Sequence, residues 1–168
     1  MLYDHPADYH AGSIPLTIDS NGDLGTAAAD ASAATLAANG IVSATCGFCA
    51  IIEDYAASTL PTVSINGGGD NFSEHAMRQI IGQFGDGDYA IVSCAGRTYF
   101  NSDGWTLAEA QTICQKLGLK FAYNLDGGKS VSTILKKKPV WDFMTGTARI
   151  VPSFIVFNGT STYSVPSV

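Results

Sequence analysis

The chain has 168 residues, 46% of them hydrophobic, enough for one domain with a buried core and too apolar for a disordered chain. Only 14% are charged, the net charge is −6, and there are three arginines (Arg78, Arg97 and Arg149). The basic footprint that a nucleic-acid duplex requires is therefore not expected. No apolar run approaches the ~20 residues of a membrane-spanning helix. Met1-Leu2-Tyr3-Asp4-His5-Pro6 has neither the basic nor the apolar region of a cleaved leader, so the expectation is a protein of the cytoplasm or of a larger particle.

Residues 1–25 are rich in Asp, Gly, Pro and Ser and read as an N-terminal arm ahead of a single domain over 26–168. Its one apolar stretch, Ile14-Pro15-Leu16-Thr17-Ile18, reads as an edge strand or extended arm because Pro15 lacks a ladder donor. His5 and His10 in this arm have no third ligand nearby and read as exposed. Thr26 to Asn39 is alanine-rich, which predicts a helix over 26–38 stopped by Asn39-Gly40. Ile41–Ala44 and Phe48–Ile52 follow as strands, ending at Glu53-Asp54. Cys46-Gly47-Phe48-Cys49 has the spacing of a zinc or redox pair, but no second pair completes four ligands, and a strand sends positions i and i+3 to opposite faces. With Cys94 on an apolar strand and Cys114 on the apolar side of a helix, buried free thiols are expected.

Val63-Ser64-Ile65-Asn66 alternates like a strand, and Gly67-Gly68-Gly69 reads as a surface loop. Residues 78–84 and 88–94 predict a hairpin turned by Gly85-Asp86-Gly87, with a second turn at Ala95-Gly96-Arg97. Thr106-Leu107-Ala108-Glu109 is a capping box, in which the Thr106 hydroxyl and the Glu109 carboxylate each satisfy a free backbone N–H. Leu107, Ala110, Ile113, Cys114 and Leu117 recur at helical spacing, so a helix is predicted over 106–117 with Gly118 as its stop. The next strand, from Phe121, halts at Asp126-Gly127-Gly128-Lys129-Ser130. Lys136-Lys137-Lys138 reads as a solvated loop face, and Arg149 to Phe157 as a last apolar strand able to close the sheet. The fold class is α+β, one domain with a mixed, mostly antiparallel twisted sheet and two packed helices.

The turn after Phe121-Ala122-Tyr123-Asn124 is the candidate site. A strand ending there puts an amide, a carboxylate and backbone N–H groups at one sheet edge, and glycines let such a backbone approach a ligand. The alternative reading is a tight turn in which Asp126 bonds its own backbone.

Residues from about 75 to 157 resemble the phosphodiester glycosidase family. The resemblance is carried by Arg78-Gln79-Ile80-Ile81-Gly82, Ala95-Gly96-Arg97, Gly104-Trp105-Thr106-Leu107-Ala108-Glu109, Asn124-Leu125-Asp126-Gly127-Gly128-Lys129-Ser130 and Arg149-Ile150-Val151-Pro152, in family order and spacing. The segment from Pro15 through Gly47-Phe48 also resembles versions of this domain in bacteriophage tail proteins. Lys129 stands where the family has a third glycine. The family's early Asn-Gly-Gly-Tyr-Phe motif has no clean counterpart, Asn66-Gly67-Gly68 being the nearest.

The resemblance implies a hydrolase acting on a sugar-1-phosphodiester at the anomeric carbon. It makes Asp126 the catalytic carboxylate, with Arg78 and Arg149 on the phosphate. Lys129 and the Gly127 and Gly128 amides assist, while Asn124, Ser130 and Arg97 bind substrate. His75 is a candidate proton donor, and Glu109 only a helix cap. The implied partner is a phosphorylated glycan or a sugar phosphate, with virion or homo-oligomer contacts and either a virion or the host cytoplasm as location. No cofactor is implied, and a divalent cation is left open. Two further readings stand beside the enzyme: a tail module that binds phosphodiester-linked wall glycan such as teichoic acid without cutting it, and a protein that removes or sequesters a nucleotide signal.

Overall fold

A computed structural model describes residues 14–45, 48–61, 72–96, 101–140 and 154–157. Its centre is β8 (Phe121–Asn124), whose four residues are all buried. Because side chains alternate, Phe121 and Tyr123 face one side and Ala122 and Asn124 the other. Around it β4 (Cys49–Glu53), β5 (Ala56–Ala57), β6 (Arg78–Gln83) and β7 (Tyr89–Cys94) complete a five-stranded sheet in the order β5-β4-β8-β6-β7. Every pairing is antiparallel, and one row runs Cys49, Asn124, Ile80 across its three inner strands.

Each face of this sheet has its own cover. On one, α2 (Leu107–Lys116) buries Leu107, Ala110 and Cys114 against Cys49, Ile80, Ala122 and Phe72. The other meets a three-stranded sheet in the order β2-β1-β3, built from β1 (Leu16–Asp19), β2 (Leu24–Thr26) and β3 (Ile41–Thr45). There Leu16 and Leu24 pack with Ala50, Ile81, Phe121 and Tyr123, each fully buried aliphatic side chain contributing about 2 kcal/mol. Polar pins join the two sheets. Tyr123 Oη donates to Ile14 O at 2.6 Å and accepts from Phe48 N at 3.1 Å, and Gln83 Oε1 accepts from Leu24 N at 2.9 Å.

Much of this follows the sequence reading. The α+β class holds, with mostly antiparallel strands and two helices. The capping box of α2 is complete in both directions, and Gly118 follows the helix at φ 77°. The 78–94 hairpin forms with Gln83 opposite Tyr89. Cys49, Cys94 and Cys114 are free and buried, and burial pushes the Cys49 and Cys114 thiols up to about 11. Among the described residues no helix is long and apolar enough to cross a membrane.

Four expectations need correction. The alanine-rich helix is α1 (Ala33–Ala38), not 26–38. Ser32 caps it by accepting from Thr35 N, and Leu24–Thr26 is strand. Alanine propensity cannot carry a helix that has nothing to bury, and Leu36 is the only residue α1 buries. Second, β1 is the middle strand of its sheet rather than an edge; Pro15 lies just outside it, so no ladder bond is lost. Third, 154–157 is not strand. Phe154 and Val156 are exposed, Ile155 packs on the core, and the Phe157 ring lies 5.0 Å from that of Tyr89. Fourth, the strands divide between two sheets and a small ribbon rather than forming one. His5, His10, Cys46, the 63–69 segment, Arg97 and Arg149 lie outside the described residues.

Candidate functional site

Beyond Asn124 the chain keeps bonding to the strand beside it. Leu125 N donates to Gln79 O at 2.8 Å and Gly128 N to Met77 O at 3.0 Å, so the Asp126-Gly127 turn crosses the start of β6 on either side of Arg78. The two glycines are needed for different reasons. A Cβ on Gly127 would lie 2.6 Å from Met77 O, although its φ of −110° suits any residue. Gly128 has open space around it but sits at φ 57°, in the left-handed region. Asp126 is exposed, and its Oδ1 accepts from Gly127 N at 2.8 Å. A short 3-10 turn, Gly128–Ser130, then exposes Lys129.

The backbone of Arg78 lies between the two bonds from Leu125 N and Gly128 N, and its side chain is buried, 5% exposed. Its Nε donates to Trp105 O at 3.1 Å, its Nη2 to Glu74 O at 3.0 Å, and its guanidinium carbon sits 5.6 Å from the centre of the Phe72 ring. The arginine thereby ties the segment before β6 to the segment before α2. Burial dominates the upward shift of the Cys49 thiol, and the Arg78 charge opposes it.

Asn124 is 1% exposed and its Oδ1 has no hydrogen-bond partner among the described residues; the buried Oγ of Ser130 has none either. Unpaired buried polar atoms are uncommon and costly in native proteins. Here two of them bracket the acidic turn. His75 stands three positions ahead of Arg78, and its Nε2 lies 3.2 Å from Glu109 Oε2, both side chains being half-exposed. Glu109 Oε2 also accepts from Thr106 N at 2.8 Å and Thr106 Oγ1 at 3.0 Å. The Thr106 bonds, more than His75, hold the Glu109 carboxyl below its ordinary range.

The structure thus brings Arg78, Asn124, Asp126, Gly127, Gly128, Lys129 and Ser130 to one end of the sheet, while His75 is committed to the α2 cap. It also shows residues whose part the sequence reading did not see. Trp105 and Ala76 exchange backbone hydrogen bonds at 3.0 and 3.2 Å. Gly104 approaches this pair so closely that a Cβ would collide with Ala76 O, and one on Gly96 would lie 2.8 Å from Met77 N. The sequence placed Gly96 in a turn and Gly104 ahead of the helix motif, but only the fold shows that both pack against the backbone that leads into β6. Among the described residues no group of three or more His, Cys, Asp or Glu could hold a metal ion.

Comparison with known proteins gives the family and the fold. The model of the family described as phosphodiester glycosidase matches residues 4–158. The structure is similar to the zebrafish N-acetylglucosamine-1-phosphodiester alpha-N-acetylglucosaminidase catalytic domain auto-inhibited by its pro-peptide. The TM-score is 0.59 with 17% identity, covering 76% of this chain and 44% of that one, a likeness of fold. A hypothetical protein from Synechocystis gives a TM-score of 0.52 with 27% identity, covering 62% of this chain and 19% of that one. The chain thus spans less than half the length of either structure. No curated protein matches it significantly.

Proposed function

The chain belongs to the phosphodiester glycosidase family, and on that premise we propose that it hydrolyses the bond between an anomeric carbon and a phosphate ester in a sugar-1-phosphodiester. The observation that carries the proposal is a pair of buried oxygens, Asn124 Oδ1 and Ser130 Oγ, that have no hydrogen-bond partner among the described residues and stand on either side of an exposed carboxylate, on a turn bonded to β6 around the buried Arg78. Asn124 Oδ1 accepts a hydrogen bond from a sugar hydroxyl or amide, and Ser130 Oγ donates one to a phosphate oxygen. Each thereby gains a partner that it lacks among the described residues.

The leaving group is a phosphate ester, already a stable anion, so it needs less acid assistance than an alcohol does. The site must instead offset phosphate charge and supply a carboxylate near the anomeric carbon. Arg78 provides buried positive charge on the strand to which the turn bonds; its Nε and Nη2 are held by carbonyls, so this charge is fixed before substrate arrives. Lys129 is exposed on the same turn and reaches the phosphate from solvent; on family pattern Arg149 is assigned to the phosphate and Arg97 to substrate binding. Asp126 activates the attacking water or steadies the oxocarbenium-like centre. His75 is assigned as a proton donor to the departing phosphate and must leave Glu109 to act.

Replacing Asp126 with Asn tests this. Release of free sugar from UDP-N-acetylglucosamine or another sugar-1-phosphodiester should be lost, with the thermal midpoint nearly unchanged because the side chain is exposed. Undiminished turnover rejects the assignment. Lys129, a bulky cation where the family has glycine, favours a second reading, in which the domain binds a phosphodiester-linked glycan, as on a virion, without cutting it. Glycan retention with no released sugar by mass spectrometry selects that reading.

A further inference from the structure

Just downstream of the candidate site, a hairpin carries three cations that the proposed hydrolysis does not use. Strands β9 (Ile134–Leu135) and β10 (Lys138–Pro139) pair Leu135 with Lys138 and Ile134 with Pro139, leaving Lys136-Lys137 as a two-residue turn. Both lysines have left-handed backbone, with φ of 51° and 66°, in a class of turn that ordinarily takes Asn-Gly. Strain of this kind persists only where the surroundings hold it, and it concentrates at functional sites.

The base of the hairpin is fixed. Val140 N donates to Thr133 O at 2.8 Å. Gln79, buried on β6 next to Arg78, donates from Nε2 to Thr133 Oγ1 at 2.8 Å and to Ser132 O at 3.2 Å. The hairpin therefore hangs from the strand that floors the candidate site. Residues 134–139 are all exposed, and among the described residues no carboxylate lies within ion-pair distance of Lys136, Lys137 or Lys138. Half of the six lysines of a chain with net charge −6 thus stand together, with no ion-pair partner among the described residues.

We propose that this hairpin binds phosphates of a repeating phosphodiester polymer other than the one being cleaved, so that the substrate is a chain of linked sugar or polyol phosphates rather than a single sugar nucleotide. The inference rests on the glycosyl-phosphodiester reading of the adjacent site. Lysine acts as a point charge on a flexible stem, which suits a mobile phosphate backbone better than a fixed bidentate clamp. Lys136 and Lys137 occupy the tip of the hairpin with Lys138 directly behind them, and the apolar Ile134 and Leu135 lie in its stem. A loop that inserts into a lipid surface needs the reverse arrangement.

The test compares wild type with K136N/K137G, which supplies the residues this turn prefers and so keeps the hairpin, and with the same variant carrying K138Q. Anisotropy with fluorescent poly(glycerol phosphate) measures binding, and sugar release from UDP-N-acetylglucosamine measures the adjacent site. The variants should bind the polymer at least tenfold more weakly, with a salt dependence shallower by about two to three contacts, and should process the nucleotide sugar as wild type does. Unchanged polymer affinity and salt dependence overturn the proposal, and so does wild-type binding to anionic phospholipid vesicles as tight as to the polymer. Polymer binding is read without catalysis. A wild type that binds through these lysines but releases no sugar therefore supports the hairpin site and rejects hydrolysis.

Discussion

Alanine at Gly127 probes how closely the acidic turn is seated on β6. The added Cβ would stand 2.6 Å from Met77 O, well inside the 3.4 Å where ordinary contact begins, and the obstacle is backbone that cannot rotate away. The turn must lift, which weakens the flanking bonds from Leu125 N to Gln79 O and from Gly128 N to Met77 O. Overpacking costs about 1–3 kcal/mol and each hydrogen bond about 1 kcal/mol. A loss of about 3 kcal/mol lowers the thermal midpoint of a chain this size by roughly 6–12 °C. Gly128→Ala meets no atom within 4 Å and suffers only from φ 57°, a cost of about 1 kcal/mol. Asparagine tolerates left-handed backbone, so Gly128→Asn should recover most of that loss, while Gly127→Asn should recover none. Calorimetry on the four variants reads the difference. A Gly127→Ala protein that melts with wild type, or identical responses at the two positions, would refute the seating argument.

Asn124→Leu removes a buried oxygen that has no hydrogen-bond partner among the described residues, so the midpoint should hold or rise by up to ~1 kcal/mol equivalent while sugar-1-phosphodiester binding fails; a large destabilisation would assign Asn124 to the scaffold. On the acid side, the Thr106 N–H holds the folded Glu109 carboxyl below its ordinary range, and the Asp23 N–H does the same for Asp19. Folded values below unfolded ones mean stability that is present above the unfolded pKa and is lost as pH falls through the lower folded value. E109Q should flatten the urea-measured loss of stability below about pH 4.3, and D19N that below about pH 3.9. On the alkaline side, burial raises the Cys49 and Cys114 thiols to about 11. Stability tied to them is complete below the unfolded thiol value and fades as pH rises toward 11. Iodoacetamide at pH 8 should leave both unlabelled until denaturant is added, as read by peptide mass spectrometry.

The features legible in the sequence are those whose chemistry is local. Thr106 and Glu109 complete each other's bonds within one turn, Gly85-Asp86-Gly87 reverses a hairpin whose arms are its neighbours, and Phe121 to Asn124 ends at its own acidic turn. Where the outcome hung on distant residues, the reading strayed. The helix near residue 30 shortened because little beyond Leu36 found a surface to bury. β1 became a central strand because β2 and β3 flank it from both sides.

The candidate site divides in the same way. Composition and motif order by themselves determined an α+β domain with an Asp-Gly-Gly turn at the end of a strand, since propensity, capping and turn chemistry act between residues a few positions apart. Only the tertiary structure decided that Arg78 is buried and held by carbonyls of Glu74 and Trp105, that Met77 forbids a side chain at Gly127, and that Asn124 and Ser130 keep buried oxygens with no partner among the described residues. Burial and unmet hydrogen bonds depend on what packs from far along the chain, and neighbouring letters carry no record of it.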